Sequence, residues 1–146
     1  MRITDALLGE HAVFYGLFDR LAALVSGDGE LAELRATVGL LGPLLASHAR
    51  LEEDLLFSAL APHLGGAGPL QVMRMEHDEI DRLLGRFAET TELPVARDLL
   101  HSLDEVVRAH FSKEEQVLFP AATQVLDPAL LTRLGEQWAE QRAVRL

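Results

Sequence analysis

The sequence has no cysteine, which excludes disulfides, iron–sulfur clusters and thiolate metal sites. Aromatic residues make up only 5% of it, so the core must be built mainly of Leu, Ala and Val. No stretch approaches the roughly 18–20 consecutive apolar residues of a membrane span. The first twenty residues carry Asp5, Glu10, His11 and Asp19 without an apolar run, so no signal peptide is visible. Basic residues are also scarce. Thirteen Lys and Arg against 23 Asp and Glu leave a net charge of −10, a surface that a nucleic-acid backbone or an anionic membrane repels. These absences predict a cytoplasmic protein with neither a nucleic-acid nor a membrane partner.

What is present favours helices. Leu and Ala are strong helix formers, and strand-favouring residues are sparse. The 146 residues suit a single domain spanning 1–146. Thr4 or Asp5 is a candidate cap for a first helix that Gly27-Asp28-Gly29 stops after about Ser26. A second helix is expected from about Glu30 to Ala61, kinked or broken at Gly42-Pro43. Pro62 to Pro69 reads as a loop, and Pro69 opens a third helix reaching about Thr90. After a short connection at Thr91 to Pro94, a fourth helix extends to about Val125, bent near Pro120. Asp127-Pro128 reads as an N-cap and first-turn proline that open a short fifth helix, about 128–143. Short connections between long amphipathic helices favour antiparallel neighbours. The expected fold is therefore all-α: an up-down-up-down four-helix bundle, with its core at about 4–125 and a short C-terminal fifth helix.

The two halves of the chain repeat, and the repeat centres on histidine. Glu10-His11 on the first helix corresponds to Glu76-His77 on the third. HARLEEDLLF, with His48, Glu52, Glu53, Leu56 and Phe57, corresponds to HFSKEEQVLF, with His110, Glu114, Glu115, Leu118 and Phe119. Four residues advance a helix by about 400°, so His48 and Glu52 share one face, as do His110 and Glu114. Apolar neighbours mark those faces as inward: Leu41, Leu44, Leu45, Leu55 and Leu56 on the second helix, and Val106, Val107, Phe111, Val117 and Leu118 on the fourth. Six buried polar side chains would be costly without a compensating ligand. Imidazole and carboxylate together suit iron, manganese or zinc. The repeat suggests two ions, with His11 and His48 on one, His77 and His110 on the other, and Glu52 and Glu114 shared. An oxo, hydroxo or water bridge would complete most of the shell, leaving a position for a diatomic or peroxide ligand.

At these residues the sequence resembles the hemerythrin-like, or HHE cation-binding, family, over about residues 4 to 125 and including Phe119-Pro120. The resemblance implies a non-haem diiron centre in a four-helix bundle, with His11, His48, Glu52, His77, His110 and Glu114 as ligands. Oxygen-carrying members have two His four residues apart on their third helix, where this chain has Met73 before His77. Their fourth helix spaces His and Asp by five, where His110 and Glu114 are four apart. Those departures shift the expectation from carrying O₂ toward reacting with or sensing O₂, peroxide or nitric oxide. A non-catalytic iron sensor or store, and a metal-free interaction bundle, are the competing readings. Ferritin-type ligation would need Glu-x-x-His, and no His here has a Glu three residues before it.

Other residues have candidate roles. Tyr15, one turn after His11, is a candidate gate or hydrogen-bond partner for a small ligand, or else a boundary tyrosine. Asp81 is a candidate to orient His77, or else a solvated charge. Glu53 and Glu115 lie off the ligand face and read as outer partners or surface residues, and Glu10 and Glu76 share some structural role. His63 and His101 are not expected to be ligands, and Trp138 is expected to pack the fifth helix on the bundle.

Overall fold

The computed structural model describes residues 1–64 and 68–145, and those residues are helical, without strands. The elements are α1 (Ile3–Ser26), α2 (Leu31–Leu51), a π-helical turn (Glu52–Phe57) running into α3 (Ser58–Leu64), α4 (Pro69–Glu89), α5 (Leu93–Lys113), a second π-helical turn (Glu114–Leu118) running into α6 (Phe119–Val125), and α7 (Pro128–Gln141). The expected loop at Pro62–Pro69 falls partly outside the described residues, at 65–67, and the helix before it continues through Pro62 to Leu64.

Helix starts follow the sequence closely. α1 is capped at Arg2, two or three residues earlier than a Thr4 or Asp5 cap would place its start. Asp5 instead accepts a hydrogen bond from the Arg2 backbone N–H at 3.1 Å. At α7 the Asp127 side chain accepts from the Ala129 N–H at 2.7 Å, with Pro128 in the first turn. Of the kink or break expected at Gly42-Pro43, the break does not occur: α2 is continuous through Pro43. Pro43 and Gly39, four residues earlier, are both exposed, so the carbonyl that loses its N–H partner can turn to water. A helical irregularity lies nine residues further on, where the π turn begins at Glu52.

Each long helix of the ring touches two others: α1 packs on α2 and α5, and α4 on α2 and α5, while α7 lies along α1. The buried apolar side chains form two layers. One gathers Leu7, Leu56, Phe57, Leu60, Leu70, Met73, Leu118, Phe119 and the α7 residues Leu131 and Trp138. The other gathers Phe14, Phe18, Leu41, Leu45, Ile80, Leu83, Leu100, Val107 and Phe111. Between these layers the buried polar residues are His11, His48, Glu52, His77, His110 and Glu114. Leu44 and Val117, expected to face inward, are 48% and 61% exposed. Val117 lies inside the second π turn, where the helical phase departs from 3.6 residues per turn. Among the described residues no helix is long and apolar enough to cross a membrane.

α7 approaches the chain's start so closely that a Cβ at Gly135 would overlap the Met1 carbonyl. Its end is a Schellman cap. Val144 N–H donates to the Ala139 carbonyl at 2.8 Å and Ala143 N–H to that of Glu140 at 3.2 Å, with Ala143 left-handed at φ 54°. An L-residue with a Cβ costs about 1–2 kcal/mol in that conformation, and glycine's extra backbone entropy returns part of the gain. Ala143→Gly should therefore raise the melting temperature by roughly 2–4 °C. An unchanged or lowered value in calorimetry would show that the position is not strained.

Candidate metal centre

The four histidines enter from four helices: His11 from α1, His48 from α2, His77 from α4 and His110 from α5. Each sits between the two apolar layers because its own helix presents apolar residues a turn to either side. Glu52 and Glu114 are the first residues of the two π turns. A π turn holds extra backbone in one turn and recurs at functional sites. Here it carries both adjacent glutamates of each pair to buried imidazoles. The aromatic residues beyond also close on the site: Phe57 stacks on His77 (5.7 Å between centroids) and Phe119 on His11 (5.5 Å).

All four Nδ1 atoms meet a carboxylate. His11 Nδ1 lies 2.9 Å from Glu115, His48 2.6 Å from Glu10, His77 2.7 Å from Glu53 and His110 3.0 Å from Glu76. A carboxylate only accepts, so each Nδ1 carries the hydrogen and donates it. The Nε2 lone pairs are then left to face one another in pairs, His11 with His48 at 3.2 Å and His77 with His110 at 3.1 Å. Two lone pairs at that separation repel unless a proton or a cation lies between them. Adjacent ligands with bonds of about 2.1 Å to one ion stand about 3 Å apart.

The carboxylates complete the pattern. Glu52 Oε1 is 3.3 Å from His48 Nε2 and its Oε2 is 3.5 Å from His77 Nε2. Glu114 Oε2 is 3.4 Å from His11 Nε2 and its Oε1 is 3.4 Å from His110 Nε2. Each carboxylate thus offers one oxygen to each histidine pair. Neither has a conventional hydrogen-bond donor on either of its two oxygens, although both side chains are fully buried. Two groups of donors result, His11–His48–Glu52–Glu114 and Glu52–His77–His110–Glu114, each with its ligand atoms within 4.8 Å of one another. Orphaned buried carboxylates and converging lone pairs are what a cation would satisfy. The residues fit a metal.

The electrostatics agree. Burial favours neutral rings, yet Glu114 and Glu52 lift His11 to about 9, and Glu52 and Glu10 lift His48 to about 10. Burial and the neighbouring His77 charge push His110 down to about 4. Burial and the facing Glu52 charge hold the Glu114 carboxyl well above the usual range, while His48, against the cost of burial, keeps Glu52 below it. Without metal, the centre holds protons on the atoms that face inward.

Residues 2–122 match the hemerythrin HHE cation-binding domain. The chain belongs to this family. A DNA nickase from Nostoc sp. is 28% identical over 142 residues, covering 97% of this chain and 38% of that protein. The iron–sulfur cluster repair protein YtfE of Cronobacter sakazakii is 36% identical over 98 residues, covering 58% of this chain and 44% of the relative. YtfE of Escherichia coli O1:K1 is 34% identical over 91 residues, covering 53% and 41%. The chain therefore spans about two fifths of the length of these relatives. No solved structure matches it.

The remaining candidates fall in distinct places. Met73 is buried in the apolar layer with Leu70 and Phe119. Asp81 is exposed, and the carboxylate that orients His77 is Glu53 instead, which reaches it from the first π turn. Asp81 stands at the rim of a narrow cavity between α2, α4 and α5 whose walls include His48, His77, His110 and Phe111. Tyr15 donates its hydroxyl to Glu115 at 3.1 Å, which in turn holds His11. Burial and Glu115 push that phenol up to about 12. His63 and His101 are exposed. The outer carboxylates Glu10, Glu53, Glu76 and Glu115 are what residue spacing alone left unassigned, although the repeated Glu-His and Glu-Glu pairs were their signal.

Proposed function

We propose that this chain is a single-domain, up-down-up-down bundle holding two iron ions, and that the pair reacts with or senses O₂, peroxide or nitric oxide. The observation that carries this reading is the placement of Glu52 and Glu114, each with one oxygen toward His11–His48 and the other toward His77–His110. His11 and His48 would hold one ion, His77 and His110 the other, and the two glutamates both. When bound, an iron pair supplies electrons and an open, Lewis-acidic position for a small oxidant. Manganese or zinc would fit the same donors without that redox chemistry.

The chain's own residues define what can reach the centre. Met73 offers no imidazole where oxygen carriers have a fifth, which supports an open position. The narrow cavity beside His77 and His110 supports access by very small ligands rather than by large substrates. Phe57, Phe111 and Phe119 surround the imidazoles and keep bulk water from them. The relatives named for iron–sulfur cluster repair support an iron-linked role, which we place in defence against oxidative or nitrosative stress.

Protein produced in iron-replete cells should carry close to two irons per chain, with near-ultraviolet absorption that changes on adding peroxide or nitric oxide. His48→Ala and His110→Ala should each release about one iron and lower the melting temperature of the loaded protein. Two irons retained in both variants would refute the ligand assignment. A spectrum indifferent to every small oxidant would refute the reactive role.

A further inference from the structure

Every outer carboxylate of the centre has its own neighbour, and one of the four neighbours differs in kind. Glu76, which holds His110, is paired with Lys113, three residues along the same helix as His110. Glu115, which holds His11, takes the Tyr15 hydroxyl from the helix of His11 itself. Glu53, which holds His77, faces Arg74 at 3.9 Å, also from the helix of its histidine. Glu10, which holds His48, is instead gripped from α7. Arg142 donates from Nε to Glu10 Oε1 at 2.6 Å and from its terminal nitrogen to Oε2 at 3.1 Å, and the Trp138 indole N–H donates to Oε1 at 2.9 Å. The other guanidinium nitrogen donates to Ser47 Oγ at 2.6 Å, beside His48.

We propose that α7 is a latch on one half of the metal centre: Arg142 and Trp138 fix Glu10, and through it orient His48 toward the ion it shares with His11. This inference rests on the two-metal reading above. Three features make the latch rigid. The guanidinium meets the carboxylate as a two-pronged fork, which sets direction as well as charge. The Schellman cap at 142–144 fixes the backbone from which Arg142 springs. Gly135 lets α7 lie against the start of α1, one helical stretch before Glu10. Residues of α7 lie beyond the stretch that matches the family model, 2–122. Glu10 is a positioning residue, and Arg142 and Trp138 act through it.

The consequence is asymmetry. Removing an outer partner of a metal-binding imidazole costs about 10–100-fold in metal affinity. Arg142→Ala should weaken one of the two ions about tenfold and leave the other at its wild-type affinity. Arg142→Lys, which keeps the charge and loses the fork, and Trp138→Phe, which loses only the indole donor, should each fall between. Lys113→Ala should weaken the opposite ion. The measurement is anaerobic titration of metal-free protein with Fe²⁺ against a competing chelator, repeated with Zn²⁺. The Zn²⁺-loaded protein adds a second readout by NMR: the His48 Nδ1 proton should shift and exchange faster in Arg142→Ala while that of His110 stays in place. A merely structural α7 would lower the melting temperature of metal-free protein and leave both affinities and both proton signals unchanged, and that result overturns the latch. If Arg142→Ala does not fold, the Lys and Phe variants decide by the same two readouts. Wild-type protein that takes up fewer than two ions refutes the two-metal reading instead, independently of any variant.

Discussion

Glu114→Gln should make the metal-free protein more stable and the metal-loaded protein much weaker. Glu52 and Glu114 face each other in a buried layer, with all four carboxylate oxygens lacking a conventional donor. Burial and the Glu52 charge already push Glu114 toward its protonated form. The amide has the same shape, carries no charge, and can donate to Glu52 or to an imidazole nitrogen. Removing a buried carboxyl that the folded state holds above its ordinary range relieves a cost of about 1 kcal/mol or more at neutral pH. For a chain of this length that corresponds to a rise of roughly 2–4 °C per kcal/mol. On the two-metal proposal the same change also removes a carboxylate shared by both ions, so the stabilisation gained on adding metal should fall by more than half. Melting curves of both proteins, with and without Fe²⁺ or Zn²⁺, test this. A less stable metal-free variant that keeps the full metal-dependent rise would mean that Glu114 serves packing and not ligation. The expected trade between stability and function is common at binding sites, whose geometry is set for the ligand.

His48–Glu52 and His110–Glu114 were legible in the sequence because both members of each pair lie on one helix, where residue spacing fixes the shared face. Their convergence with His11 and His77 followed from the repeat. The outer carboxylates were not assignable, since each meets an imidazole on a different helix: Glu10 of α1 reaches His48 of α2, and Glu115 reaches back to His11. Adjacent residues on an ideal helix point about 100° apart, which made Glu53 look displaced from the site. The π turns change that, and nothing local in EEDLLF announces one. For the same reason Val117 seemed inward and is exposed. Pro43 was a misleading signal, because a helix proline interrupts most where its lost hydrogen bond is buried, and Pro43 faces solvent. Trp138 was correctly expected to pack α7 on the bundle, but its indole N–H and Arg142 act on Glu10 across more than 120 residues of sequence.

Acidification should empty the centre one ion at a time, the ion at His11 and His48 first. In the metal-free protein these rings titrate at about 9 and about 10, above the ordinary histidine value of 6.5. The folded state therefore binds more protons than the unfolded state between those limits. This contribution to stability is complete below about pH 6.5 and is lost as pH rises through 9–10. Metal binding has the opposite sign, because the same Nε2 atoms must be free of protons to ligate. Below the folded pKa values each displaced proton costs roughly tenfold in affinity per pH unit, so two protons make the first ion's affinity fall roughly a hundredfold per unit. The other pair gives up fewer protons, since, against the cost of burial, Glu52 and Glu53 raise only His77, while His110 stays neutral down to about pH 4. Raising the pH from 6 to 9 should then lower the melting temperature of metal-free protein and widen its gap from the loaded protein. Dialysis at successively lower pH should pass through a species with one metal per chain, and calorimetric titration should show proton release through heats that vary with the buffer. Simultaneous loss of both ions would mean that the two histidine pairs hold their protons equally, which would remove the electrostatic asymmetry between the halves.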